Sequence, residues 1–172
     1  LTDEQKKLVY ATKSGWVLEN GALTGNDNPN ADPEILVAIG ELATSIGAAD
    51  ITEIEFITTA FDVSDGGTLQ VRVRFNEAVD VTGTPQLTVV NDSRANHTLS
   101  YASGTGSNEL VFSLTIAAGG GGVIAADDVL SIGANATALN GGTIKDAGTS
   151  TVSTITNAAG VGTAAGTITV VA

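Results

Sequence analysis

The chain's one histidine, His97, sits in the string ANHTLS. An imidazole works as a general base when a nucleophile lies on one side of it and an orienting carboxylate on the other. No Gly-x-Ser-x-Gly string accompanies His97. The chain has no cysteine, which excludes a thiol nucleophile, a disulfide framework and a Cys/His zinc site. The local alternation predicts an exposed histidine on a sheet rather than a catalytic one. Carboxylates are the other candidates. Asp62, Asp65, Glu77, Asp80, Asp127, Asp128 and Asp146 fall at strand ends or turns, positions from which calcium takes oxygen ligands. Acidic turn residues more often bond their own backbone, and the loop NDNPNAD lacks the glycine and late glutamate of an EF-hand. The expectation is no metal and no cofactor; were calcium held, Asp65, Glu77 and Asp128 are the acids that would hold it. The run Gly119 to Gly122 is followed by no lysine and opens no capped helix, so it reads as a hairpin connection and not as a phosphate loop. Asn91-Asp92-Ser93, Asn96-His97-Thr98 and Asn135-Ala136-Thr137 match the glycosylation pattern, as chance allows in a chain rich in Thr and Asn.

Composition narrows the field further. The net charge is −12, from 19 acidic and 7 basic residues. Such a surface repels phosphate backbones and anionic lipid, so neither nucleic acid nor membrane is an expected partner. No apolar run is long enough to span a bilayer. The opening LTDEQKKLVY has no apolar stretch of the secretory kind, and a start at Leu1 rather than Met predicts a trimmed chain. With 42% apolar residues but 4% aromatics and 21 glycines, the core must come from Val, Ile, Leu and Ala on many short strands.

The elements that must carry these residues fall into two regions. Residues 1–50 read as a helical docking region. Thr2 and Gln5 form a capping-box pattern, with Asp3 and Glu4 complementing the dipole, for a helix over about residues 3–13 closed by Gly15. Asp32 and Pro33 then open a second helix, whose stripe is Ile35, Leu36, Ile39, Leu42, Ala43 and Ile46, capped by Gly47. From residue 51 to 172 the period switches to two. Leu69, Val71, Val73 and Phe75 alternate with Gln70, Arg72, Arg74 and Asn76, and Leu110, Phe112, Leu114 and Ile116 repeat the pattern. Weaker strands are predicted over 53–61, 86–90, 97–101, 129–132, 151–155 and 167–171. Glycine-rich turns separate them, and about seven or eight short strands suit an antiparallel Ig-like β-sandwich, while strictly local pairing alone would also allow a barrel.

Three strings in the second region carry a resemblance: VRVRFNEAVDVTGTPQLTV (71–89), YASGTGSNELVFSLTIAAG (101–119) and LNGGTIKDAG (139–148). In order and spacing they resemble a bacterial Ig-like repeat of large cyanobacterial and marine bacterial surface proteins, covering residues 68 to about 147. The resemblance implies a β-sandwich in a structural or adhesive role and no enzyme activity. The turn after SLTIAAG is usually acidic in such repeats, and here it is glycine, which weakens a cation role for it. A single module standing behind a distinct first region points to a virion structural protein: a phage capsid decoration or cement protein, binding the capsid lattice (the major capsid protein or its equivalent) and neighbouring copies in a homo-oligomer. The contact residues expected for it are Tyr10, Trp16, Leu18, Ile35, Ile39 and Leu42. The alternative is a module of a bacterial cell-surface adhesin or surface-layer protein. A carbohydrate-active enzyme would need a paired acid and base, which no motif supplies.

Overall fold

A computed structural model describes residues 8–12, 15–18, 34–38 and 48–172. The chain is mainly β and divides into two compact units, Leu1–Ile46 and Gly47–Ala172.

In the first unit, β1 (Val9–Thr12), β2 (Gly15–Leu18) and β3 (Glu34–Ala38) form an antiparallel three-stranded sheet in sequence order. Thr12 faces Gly15 across β1 and β2, and Trp16 faces Val37 across β2 and β3. This corrects the helical reading at Val9–Thr12 and at Glu34–Ala38. The stretch VYAT joins a β-branched pair to an aromatic, and EILVA is a continuous apolar run. Both suit a paired strand, and a short apolar run fits helix and strand equally by period alone. The remainder of both expected helices lies outside the described residues.

The second unit holds one curled, mixed sheet of ten strands. They are β4 (Ile51–Phe56), β5 (Phe61–Asp62), β6 (Gly67–Thr82), β7 (Gln86–Asn91), β8 (His97–Ser103), β9 (Ser107–Ile116), β10 (Val129–Ser131), β11 (Thr137–Ala138), β12 (Thr143–Asp146) and β13 (Ile168–Val171). The backbone of the sheet runs β12-β6-β9-β8-β7-β10-β13-β5, with β4 added to β6 and β11 to β7. β6, 16 residues long, takes β4 along its first half and β12 along its second. All pairs are antiparallel except β5 with β13, which is parallel. The expectation of a purely antiparallel sheet fails at that one pair. The segment 57–60 joins β4 at one end of the sheet to β5 at the other, and Val63 donates to Val171 while Ile57 donates to Gln70. The short segment 57–60 thus ties the two ends of the sheet, which curls around its own inner face.

That face is the core. Leu69, Val71, Val73 and Phe75 of β6, Leu110 and Phe112 of β9, Leu87 and Val89 of β7 and Leu99 of β8 are all buried. The alternation read from β6 and β9 is thus the alternation of the sheet. Leu114 departs from it, being only partly buried. On the outer face Arg72 pairs with Glu55 and Glu109, and Arg74 with Glu53 and Glu109, so charges of opposite sign oppose each other across β4, β6 and β9. The run Gly119–Gly122 forms a left-handed turn with φ of 75°, 69°, 54° and 80°. Only glycine takes successive residues of this kind without steric cost. A helix α1 (Ala159–Thr163) closes the unit. A Cβ on its Gly162 would lie 2.4 Å from the carbonyl oxygen of Gly133, so the glycine lets the helix approach that backbone.

Candidate functional site

Two strands that separate create the site. β8 and β9 pair from Ser103↔Val111 to Ser100↔Ser113. Beyond that point β8 stays with β7, where His97 faces Val89, and β9 stays with β6, where Ile116 faces Gly67. The wedge between them is a cavity of about 390 Å³, within the size range of small-molecule sites. Ala95 to Thr98 form one wall and Leu114 to Ala117 the other, with Gly120, Gly121 and Val123 closing the end. The left-handed glycine turn is therefore a wall of this cavity, which goes beyond its reading as a plain connection.

His97 is 4% exposed, correcting the expectation of an exposed sheet histidine. The signal for burial was present: His97 shares the inward parity of Leu99 in β8. Its ring packs beside a polar cluster that motif reading missed. Asn91, at the end of β7, accepts at Oδ1 from the backbone N–H groups of Ser93 and Arg94, each at 3.0 Å. Its amide Nδ2 donates to Asp128 Oδ2 at 2.9 Å and reaches His97 Nε2 at 3.4 Å. Asp128 Oδ2 also accepts from the backbone N–H of Ala125 at 3.0 Å and pairs with Arg94 Nε at 3.1 Å. The Asn91 hydrogen bond, the Ala125 N–H and the Arg94 charge hold the Asp128 carboxyl below its ordinary value, against its burial. Burial pushes His97 below its ordinary value, partly offset by the Asp128 charge. The neutral imidazole and the ionised carboxylate are thus the favoured pair. Among the described residues His97 has neither a hydroxyl nor a carboxylate in hydrogen-bond contact, so no relay of nucleophile, base and orienter is assembled there.

The three acids named for calcium are placed separately. Asp65 is exposed in the turn after β5, and Asp128 spends its oxygen on the cluster just described. Glu77 lies in β6 at a register shift between Arg74 and Val79, with Oε1 buried and without a hydrogen-bond partner. Burial raises the Glu77 pKa, and the charges of Asp146 and Asp50 raise it further. Among the described residues no three His, Asp or Glu side chains converge in a way that could hold a metal ion. Two of the other acids bond locally: Asp62 takes Ser64, and Asp146 takes Gly148 and Thr149.

The contact residues expected in the first region divide as follows. Tyr10 and Trp16 lie on β1 and β2, Ile35 on β3, and Leu18 ends β2 fully buried. A buried Leu18 is a packing residue rather than a free contact. Ile39 and Leu42 lie outside the described residues. Comparison with models of protein families, with curated proteins and with solved structures gives no match for this chain.

Proposed function

We propose that this chain is a non-enzymatic structural protein of a virion, a decoration protein on a phage capsid, whose first unit docks on the capsid lattice and on neighbouring copies. The observation that carries this reading is the division of the chain into two compact units. The core cluster of the second unit draws on residues from Ala49 to Val170, so that unit is a body with its own core, and the first is a small unit whose strands carry Tyr10, Trp16 and Ile35. A body of that kind suits projection, and a small apolar unit suits attachment. The acidic surface favours solubility at high copy number. The curled sheet, whose core cluster takes side chains from both β6 and β7, is read as a distorted Ig-like sandwich; the resemblance in residues 68–147 supports it. A homo-oligomer at a symmetry axis of the lattice is the expected assembly.

A module of a bacterial surface adhesin or surface-layer protein is the second reading, favoured by the ligand-sized cavity between β8 and β9. Immunogold labelling of the native source with an antibody to Gly47–Ala172 separates the two. Regular labelling of capsids supports decoration, labelling of the cell envelope supports the adhesin, and labelling confined to the cell interior sinks both.

A further inference from the structure

The hydrogen bonds around Asn91 fix the protonation of His97. Backbone N–H groups only donate, so the Asn91 atom bonded to Ser93 and Arg94 is its carbonyl oxygen, and the atom facing Asp128 is its NH₂. That NH₂ can only donate. His97 Nε2, 3.4 Å from it, must therefore be the acceptor, and the neutral ring carries its proton on Nδ1. Among the described residues Nδ1 has no hydrogen-bond partner, yet it is not among the fully enclosed polar atoms that lack one. The residue is 96% buried and lines the cavity between β8 and β9. His97, whose Nδ1 has no protein partner among the described residues, thus lines a pocket whose other wall carries Leu114 and Ile116.

From this we infer that the cavity is a binding site for a small uncharged molecule with a hydrogen-bond acceptor on an apolar body, His97 Nδ1–H being the donor that orients it. No charged side chain lines the cavity, so neither an anion nor a cation would regain there the solvation it loses on entry. The negative net charge of the chain and the Asp128 carboxylate behind His97 disfavour an anion further. Largely apolar walls, with the His97 donor beside the uncharged polar side chains of Asn96, Thr98 and Thr115, describe a site that selects a neutral carbonyl or ether. The site stands apart from lattice docking, and its test uses the free protein.

Four probes of one shape separate the possibilities: benzamide, benzoate, benzamidine and toluene. They are titrated into the full-length protein and followed through the amide and methyl resonances of Thr98, Leu114 and Ile116. Benzamide should bind saturably in about the millimolar range ordinary for a fragment. It should bind about threefold to tenfold tighter than toluene, the worth of one neutral hydrogen bond, and tighter than both ions. His97→Phe keeps a buried ring and removes the donor, so it should bring benzamide down to toluene while leaving toluene unchanged. No saturable benzamide response, or an ion binding as tightly as benzamide, overturns the inference. So does a His97→Phe variant that keeps the preference for benzamide. Should that variant not fold, the ring nitrogens of the wild-type protein decide: a long-range ¹H–¹⁵N spectrum must show the proton on Nδ1, and a proton on Nε2 removes the donor on which the site rests.

Discussion

Three side chains make distinct demands. Phe112 is fully buried in β9 and meets Tyr101 edge-to-face, with ring centroids 6.2 Å apart. Phe112→Ala should cost roughly 3–5 kcal/mol through lost burial and the cavity left behind, and an unchanged denaturation midpoint would place Phe112 outside the core. His97 tests the pH response. Its folded pKa lies below the ordinary 6.5 because the ring is buried, so in the window just below 6.5 the unfolded chain binds the extra proton and stability falls with falling pH. Replacing His97 by Phe should flatten the melting profile over that window, while wild type loses stability there. Glu77 works in the opposite sense. Its pKa is raised by burial and by Asp146 and Asp50, so the neutral acid is favoured in the fold. The associated stability is present at low pH and is lost as pH rises through the folded value. Glu77→Gln keeps the neutral shape, so it should raise the melting temperature at pH 7 and leave it unchanged near pH 3. A lower melting temperature at pH 7 would mean that the carboxylate has a partner the buried Oε1 does not show.

At the scale of elements, period-two alternation was legible wherever strands were long and half-exposed. β6 and β9 could be read directly because one face meets the core and the other carries Arg72, Arg74 and Glu109. Of the short strands, β10 and β13 were read at 129–132 and 167–171, but others could not be. β5 and β11 have two residues each, and β12 has four, too few for a period to emerge; their partners lie far away in sequence. Thr151–Ile155, expected as a strand, makes only isolated bridges, at Val152 and at Thr154. The cavity was invisible for a related reason. It arises where β8 and β9 stop pairing, which is a property of register and not of composition, whereas the inward parity of His97 with Leu99 was there to be read. The glycine turn was legible as a turn but not as a wall, and two substitutions in it separate backbone strain from crowding. A Cβ on Gly121 meets open space, so Gly121→Ala should cost only the strain of a left-handed alanine, within roughly 1–3 kcal/mol. A Cβ on Gly120 would lie 2.7 Å from Val63 Cγ2 and 2.9 Å from Ile124 Cγ2. Gly120→Ala should therefore destabilise clearly more than Gly121→Ala in chemical denaturation, and equal effects would show that the turn gives way around the added methyl.

At the scale of the molecule the question is whether the two units need each other to fold. The core cluster from Ala49 to Val170 includes side chains from the long strands β6 and β9, and the bonds at the edges of the curled sheet, Val63 to Val171 beside β13 and Ile57 to Gln70 beside β6, are internal to the second unit. A body of that size buries enough surface to be stable alone, whereas a unit of under fifty residues without a disulfide is marginal. The fragment Gly47–Ala172 should consequently unfold in one cooperative step with a melting temperature close to that of the whole chain, and a fragment ending at Ile46 should remain unfolded as a monomer. If the first unit docks on a lattice, the larger fragment should fold normally and yet fail to decorate particles at the occupancy of the whole chain. Full occupancy by the folded fragment would reassign docking to the curled sheet itself. A fragment that does not fold would instead make the first unit part of a single cooperative body.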